Sequence, residues 1–339
     1  MNAIALVGCG NVGTALLELL HEKRSMLDKK YGFKYKVTLV TDLMKGTVMD
    51  TNGLDLEQVL GALHNERSFS KLPQSVTGSF SDLLDDSEAT MLAEATPTDL
   101  KTGEPGLTHI KTALSRGISV TTSNKGPISI AYDELHKLAR ECGAKLAYEG
   151  VVMSGTPLIQ MVRNGMAGCD VIKIEGILNG TTNFILTKMH NSNATYAEAL
   201  EEATSLGYAE ADPSGDVEGF DAAVKVSILA RIFFDKNIPV SDVDRAGITH
   251  VTPEKINDAK NNGYVVKLIA GIEKGAFGVH AYVKPKEIPS SHPLASICGA
   301  TNAVTITTDN LGEVTLIGPG AGRRETGQAL LSDLISMAR

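Results

Sequence analysis

Ile4-Ala5-Leu6-Val7-Gly8-Cys9-Gly10-Asn11-Val12-Gly13 runs a short apolar stretch into three glycines at the spacing G-x-G-x-x-G. A helical pattern follows, with Val12, Leu16, Leu20 and Leu27 on one face and charges behind them. In a strand–turn–helix setting the glycines have separate uses. Gly8 permits the tight turn, Gly10 lets a pyrophosphate reach the backbone, and Gly13 lets helix and strand pack closely. Asn11 and Val12 open the helix, whose unpaired N–H groups and positive dipole suit an anion. The bland alternative is a glycine turn with no ligand; its place between a first strand and a first helix favours dinucleotide binding.

The alternation continues outward from this loop. Apolar runs at 37–40, 89–95, 118–122 and 145–148 read as strands. Helical stretches at 108–116 and 130–142 are each stopped by a glycine, Gly117 and Gly143, with a strand next. Repeated β–α–β order predicts an α/β fold, a Rossmann-type doubly wound parallel sheet over 1–150. The region 151–317 reads as a second, α+β domain with a mixed sheet. A helix at 157–163 leads to a strand at 171–178, then helices at 196–206 and 216–234. Two hairpins follow, 265–272 with 279–283 and 304–308 with 314–317, the latter across Asp309-Asn310-Leu311-Gly312. A last helix at 326–337 fits either domain by its pattern alone.

A chain of 339 residues fits two domains, and 42% apolar with 21% charged residues is an ordinary globular composition. The balance of 32 basic against 40 acidic residues, with 5% aromatics, leaves no basic, aromatic-studded surface for nucleic acid. Four cysteines without a C-x-x-C pair argue against a disulfide scaffold and a thiolate zinc site, and a reducing cytoplasm is the expected compartment. Residues 1–17 are uncharged but lack a basic start and are interrupted by Gly8, Gly10 and Gly13, so no signal peptide is expected. No run of about 20 apolar residues suggests a membrane span.

Several residues carry chemistry. Asp42 follows the second strand, 29 residues after Gly13, where a carboxylate accepts hydrogen bonds from an adenosine ribose. Lys45, three residues on, is placed to meet a 2′-phosphate instead; both NAD and NADP are expected to work, with NAD slightly favoured. Otherwise Asp42 is a turn residue. Lys125 ends the fourth strand in Thr121-Thr122-Ser123-Asn124-Lys125-Gly126-Pro127, at the sheet edge where open α/β folds bind ligands, or is merely a solvated lysine. In the second domain, Val217, Asp221, Lys225 and Leu229 follow at i+4 spacing on an almost wholly apolar helix. Asp221 and Lys225 are therefore neighbours: a structural ion pair, or a lysine held beside a reacting alcohol.

At these residues the chain resembles the homoserine dehydrogenase family. The likeness runs from the Gly8 loop through Thr121-Thr122-Ser123-Asn124-Lys125, Glu149 ahead of Gly155-Thr156-Pro157, and Glu175-Gly176-Ile177-Leu178-Asn179-Gly180-Thr181-Thr182-Asn183. It is most specific at Leu206-Gly207-Tyr208-Ala209-Glu210-Ala211-Asp212-Pro213 with Asp216, Gly219, Asp221 and Lys225, and closes on Gly320-Ala321-Gly322 and Thr326. The resemblance implies interconversion of L-homoserine and L-aspartate 4-semialdehyde with NAD or NADP, on the route to threonine, methionine and isoleucine. It implies that segment 318–339 returns to the nucleotide domain, and that 151–317 binds substrate and makes a homodimer. Lys225 and Lys125 match the family's active-site lysines. Glu210 and Asp221 match acidic substrate-binding positions, and Asp216 stands in the same motif; Gly180, Thr181 and Tyr208 line the same pocket. Thr96 and Gly322 match cofactor contacts. Glu149 with the carbonyls of Val152, Ser154 and Thr156 matches a monovalent cation (Na) site. Too little chain follows Thr326 for a regulatory domain of the ACT type, so none is expected.

Rival readings remain at this point. Another NAD(P)-dependent amino-acid dehydrogenase of the same fold shares the loop and the lysines. A nucleotide-sensing protein without catalysis would keep the loop but would not need Lys125, Glu210, Asp221 and Lys225 together. An acyl-enzyme mechanism needs an activated cysteine with a histidine base, and Cys9, Cys142, Cys169 and Cys298 have no adjacent histidine.

Overall fold

The apolar run before the glycine loop is the first strand of a seven-stranded sheet. Its strands are β1 (Asn2–Val7), β2 (Tyr35–Asp42), β3 (Gly46–Met49), β4 (Ser75–Val76), β5 (Met91–Glu94), β6 (Ser119–Thr122) and β7 (Leu146–Ala147), in the order β4-β3-β2-β1-β5-β6-β7. β1, β2, β5, β6 and β7 run parallel, with Leu6 opposite Val40 and Ala93. The reversal of strand order beside β1 puts the ligand crevice of such a sheet at the carboxyl ends of β1 and β5. This sheet belongs to the first of two units in the computed structural model, which describes residues 1–276 and 278–339: unit 1 is Met1–Gly155 with Gly322–Arg339, and unit 2 is Thr156–Ala321.

Helix Asn11–Tyr31 ends on Gly32 in the left-handed conformation, with Lys29 and Lys30 in its last turn to meet the negative helix end. Its Leu16, Leu17, Leu20 and Leu27 bury against Val37 and Val40 of β2 and against Leu330, Leu331 and Leu334 of the last helix, Arg323–Met337. Gly327 lets the two helices approach, since a Cβ there would stand 3.0 Å from the Leu16 nitrogen. Arg324 pairs with Glu22 across the same contact, and Asp333 accepts hydrogen bonds from the Thr121 hydroxyl at 2.9 Å and the Glu149 N–H at 3.0 Å. The final helix therefore completes unit 1.

Unit 2 carries β8 (Val171–Ile177), β9 (Asp244–Arg245), β10 (Tyr264–Gly275), β11 (Gly278–Pro289), β12 (Thr301–Thr308) and β13 (Gly312–Pro319), ordered β13-β12-β8-β10-β11-β9. Every pairing is antiparallel except β11 with β9, so the sheet is mixed. Both hairpins form, with Ile272 opposite Ala281 and Val304 opposite Leu316. Among the described residues no helix is long and apolar enough to cross a membrane.

The structure departs from the sequence reading in several places, among them the helices Leu56–Asn65, Phe80–Asp86 and Pro253–Asn261, which that reading lacks. The first sheet is not wholly parallel: β3 and β4 add an antiparallel edge, because the chain turns back at Gly46 immediately after Asp42. Lys125 does not end a strand. β6 stops at Thr122, Asn124 caps a helix by accepting the Gly126 N–H, and Lys125 is the first residue of Lys125–Glu141, which has a break at Ala131. That helix begins five residues before the apolar pattern suggests, with Pro127 tolerated in its first turn. The expected helix at 157–163 is one turn, Leu158–Gln160, followed by a wider turn, Met161–Gly165. Helix Gly180–Ser192 was not foreseen; Asn179 caps it by accepting the Thr182 N–H. The expected helix at 216–234 is two, Ser214–Val217 and Phe220–Phe234, parted by Gly219 at φ 78°, so Val217 leaves the stripe shared by Asp221, Lys225 and Leu229.

Candidate active site

In unit 1 the three glycines meet three different environments. A Cβ on Gly8 would lie 2.5 Å from the Ala95 carbonyl oxygen, and one on Gly13 would lie 2.0 Å from that of Gly8. A Cβ on Gly10 would meet nothing within 4 Å, so that side of its backbone is open to an incoming group. Gly10 precedes helix Asn11–Tyr31, whose first N–H groups have no intrahelical acceptor. Asp42 and Lys45 clasp this loop through Cys9. The Asp42 carboxylate accepts the Cys9 N–H at 2.8 Å and the N–H groups of Met44 and Lys45, while the Lys45 ammonium donates to the Cys9 carbonyl. Burial, with the Asp42 charge beside it, pushes the Cys9 thiol far above its ordinary range, which leaves it no nucleophile at neutral pH.

Thr96 follows β5, and its N–H and hydroxyl both donate to Glu94. Lys125 opens its helix two residues beyond Ser123. Gly322 precedes helix Arg323–Met337 at φ 138°, with the Glu325 side chain lying against the space a Cβ would fill. Glu149 and Val152 are buried in the same unit, and Ser154 sits at φ 51° with its hydroxyl 2.7 Å from that of Thr326. Thr156 opens unit 2 and donates to the Pro319 carbonyl at 2.9 Å.

Unit 2 gathers most of its candidate residues into one network. Lys225 is 7% exposed, and its ammonium donates to Asp221 Oδ2 at 2.7 Å and to the Leu178 carbonyl at 2.8 Å. The pair stands one turn apart on helix Phe220–Phe234. The Asn179 amide donates to Asp216 Oδ1 at 2.6 Å and Asp221 Oδ2 at 3.2 Å, tying the short helix to the long one across Gly219. The Thr181 hydroxyl lies 2.7 Å from the Tyr208 carbonyl and 3.0 Å from Asp216 Oδ2. Tyr208 is exposed, its ring 4.9 Å from that of Phe184, and Glu210 is exposed two residues further along the same loop. Gly180 is held under the Ala300 carbonyl, 2.7 Å from where its Cβ would be.

Residues not singled out in the sequence support these groups. Asn179 joins both aspartates. Asn183 donates toward the carbonyls of Ile297, Gly299 and Thr301, drawing that loop over Gly180. Lys267, 1% exposed, donates to Asn183 Oδ1 at 2.9 Å and to the Ile297 carbonyl, and burial pushes its ammonium down to about 8. Asn179-Gly180-Thr181-Thr182 is itself a legible helix-start signal, an asparagine cap ahead of two threonines.

These two sets of residues have known counterparts. The model of the NAD-binding domain of homoserine dehydrogenase matches residues 8–149, and that of homoserine dehydrogenase itself matches 157–335. An NAD(+)-dependent homoserine dehydrogenase of Pseudomonas canavaninivorans is 43% identical over 98% of this chain and 95% of its own. Among solved structures, a homoserine dehydrogenase from Thiobacillus denitrificans superposes with a TM-score of 0.85 at 30% identity, over 100% of this chain and 73% of that one. A hyperthermophilic archaeal homoserine dehydrogenase mutant in complex with NADPH gives 0.84 at 34% identity, over 99% and 97%. Matched in this way from its glycine loop to its last helix, the chain belongs to the homoserine dehydrogenase family.

Proposed function

We propose that the protein interconverts L-homoserine and L-aspartate 4-semialdehyde, with unit 1 holding NAD or NADP and unit 2 holding the amino acid. The observation that carries this reading is the buried Lys225 ammonium fixed by Asp221 and the Leu178 carbonyl within a cluster that also holds Asp216, Asn179 and Thr181. Two of the three N–H donors of the ammonium are engaged there, and the third is available to a reacting oxygen. In the reductive direction it donates to the developing alkoxide; in the oxidative direction the amine takes the hydroxyl proton as hydride leaves the carbon. The nucleotide supplies the hydride acceptor, and the protein supplies orientation. Glu210, with Asp216 and Asp221, meets the substrate ammonium, while Tyr208, Thr181 and Gly180 shape the space around the side chain. Lys125 and Thr96 serve the nicotinamide end, with Gly322.

A carboxylate at Asp42 favours NAD, because a like charge facing a phosphate costs several kcal/mol. Asp42→Ser is expected to shift the ratio of kcat/KM for NADP over NAD upward by at least about tenfold. An unchanged ratio, with Lys45 intact, would mean that Asp42 serves only the Cys9 clasp. Glu149 and the carbonyls of Val152, Ser154 and Thr156 are all oxygen donors, the type hard cations take, and the buried Glu149 carboxylate fits a monovalent cation such as sodium. The family resemblance supports a homodimer formed through unit 2 and a role in threonine, methionine and isoleucine synthesis; four free cysteines suit the cytoplasm.

The test is direct. Purified protein with millimolar L-homoserine should raise the near-ultraviolet absorbance of reduced nicotinamide with NAD, NADP or both. Silence with both cofactors, from protein that binds nucleotide, would leave a nucleotide sensor as the better reading.

A further inference from the structure

Glu94 ends β5 with its side chain 0% exposed, and nothing proposed above uses it. Its two oxygens accept three hydrogen bonds. Oε1 accepts the Thr96 N–H at 2.8 Å and the Thr96 hydroxyl, and Oε2 accepts the Thr122 hydroxyl at 2.6 Å; the Asn124 amide beside them donates to the Thr96 and Pro97 carbonyls at 3.4 and 3.3 Å. Each partner leads to a functional feature. Ala95 and Thr96 are the groups against which Gly8 closes, with the Ala95 oxygen and Thr96 nitrogen 2.5 and 2.7 Å from the position of its missing Cβ. The Thr122 hydroxyl also accepts the Asn124 N–H at 2.9 Å, and Asn124 Oδ1 accepts the Gly126 N–H, capping the helix that Lys125 begins. One buried carboxyl thus joins the carboxyl ends of β5 and β6, the strands beside the ligand crevice, to the turn from which Lys125 rises.

A carboxyl group accepts at both oxygens, whereas glutamine accepts at only one, so in Glu94→Gln either the Thr122 hydroxyl must turn to accept from the new amide or the Thr96 N–H loses its acceptor. Burial holds the Glu94 carboxyl above its ordinary range, and the hydrogen bonds it accepts offset only part of that. We propose that Glu94 is a positioning residue of the reaction, fixing the backbone that presents Lys125 through Thr122 and Asn124. This rests on the reading of Lys125 as an active-site lysine. Misplacement of such a group by about 1 Å is enough to cost up to a hundredfold in turnover, so a residue that never meets substrate can still govern kcat.

The experiment compares Glu94→Gln, Lys125→Ala and the double variant, with kcat, KM for homoserine and melting temperature measured on each. Folded Glu94→Gln is expected to lose about tenfold to a hundredfold in kcat, with KM for homoserine changed by no more than about twofold. In the Lys125→Ala background the same substitution should cost clearly less, because the group it positions is gone. Should Glu94→Gln not fold, Thr122→Val carries the same comparison, and Thr122→Ser, which keeps the hydroxyl, should recover the turnover lost. Normal turnover in folded Glu94→Gln, or full independent losses in the double variant, overturns the positioning role alone. Normal turnover in Lys125→Ala overturns the reading of Lys125 and the proposal with it.

Discussion

Lys225→Met is expected to give a folded, nucleotide-binding protein whose kcat is about 10²–10⁴-fold below wild type, the usual worth of a general acid–base group. Methionine keeps an apolar stem of similar length at a position whose helix neighbours Ala222, Ile228 and Leu229 are buried, and removes the ammonium. The competing view makes Lys225 a structural partner of Asp221. Breaking a fully buried pair costs roughly 3–5 kcal/mol, but the Asp221 side chain is 22% exposed and also accepts from Asn179, so its charge is not stranded. Melting temperature separates the views. A well-folded, inactive Lys225→Met supports proton transfer. A well-folded enzyme with near-normal turnover sinks it and leaves Lys125 as the candidate. Lys225 and the glycine loop lie in different units, so nucleotide affinity should hold.

Removing everything after Ala321 should abolish nucleotide binding by unfolding unit 1. The lost helix buries Leu330, Leu331, Leu334 and Met337 in the core that helix Asn11–Tyr31 shares with β1 and β2. At about 1.5–3 kcal/mol for each buried side chain, the loss is roughly 6–12 kcal/mol. That is comparable with the whole stability of a typical domain, about 5–15 kcal/mol. Asp333 goes as well, leaving the Thr121 hydroxyl and the Glu149 N–H without their acceptor. Calorimetry and far-ultraviolet circular dichroism check this; a truncated chain that binds NAD with wild-type affinity would contradict it.

What the sequence made legible was local. The glycine loop could be read because its three glycines and the following helix lie within a few residues, and Asp221–Lys225 because i+4 neighbours on a helix must meet. Helix Gly180–Ser192 escaped because its first turn, Gly-Thr-Thr-Asn, has low helix propensity, which masked the legible cap that Asn179 offers and that outweighs it in the fold. β3 escaped because four residues after a tight turn carry no period. The long helix was drawn too far back because its apolar pattern runs smoothly through Gly219, where a left-handed backbone ends one helix and begins the next. Glu94 and Lys267 were invisible for another reason. Their partners come from separate strands and loops, at Thr122 for Glu94 and at Asn183 and Ile297 for Lys267, and no window of sequence holds them together.

The return of helix Arg323–Met337 to unit 1 also bears on how the protein is made. Unit 2 is an insertion within unit 1, from Thr156 to Ala321, so the first segment of unit 1 leaves the ribosome before unit 2, and the closing helix of unit 1 only after it. At about 5–20 residues per second, roughly ten to forty seconds separate the end of its first segment from the arrival of its last helix. Through that interval Leu16, Leu20 and their neighbours lack the leucines that cover them in the finished core. A nascent chain in this state offers an apolar groove to chaperones and to other copies of itself, and the closing helix is the step that withdraws it.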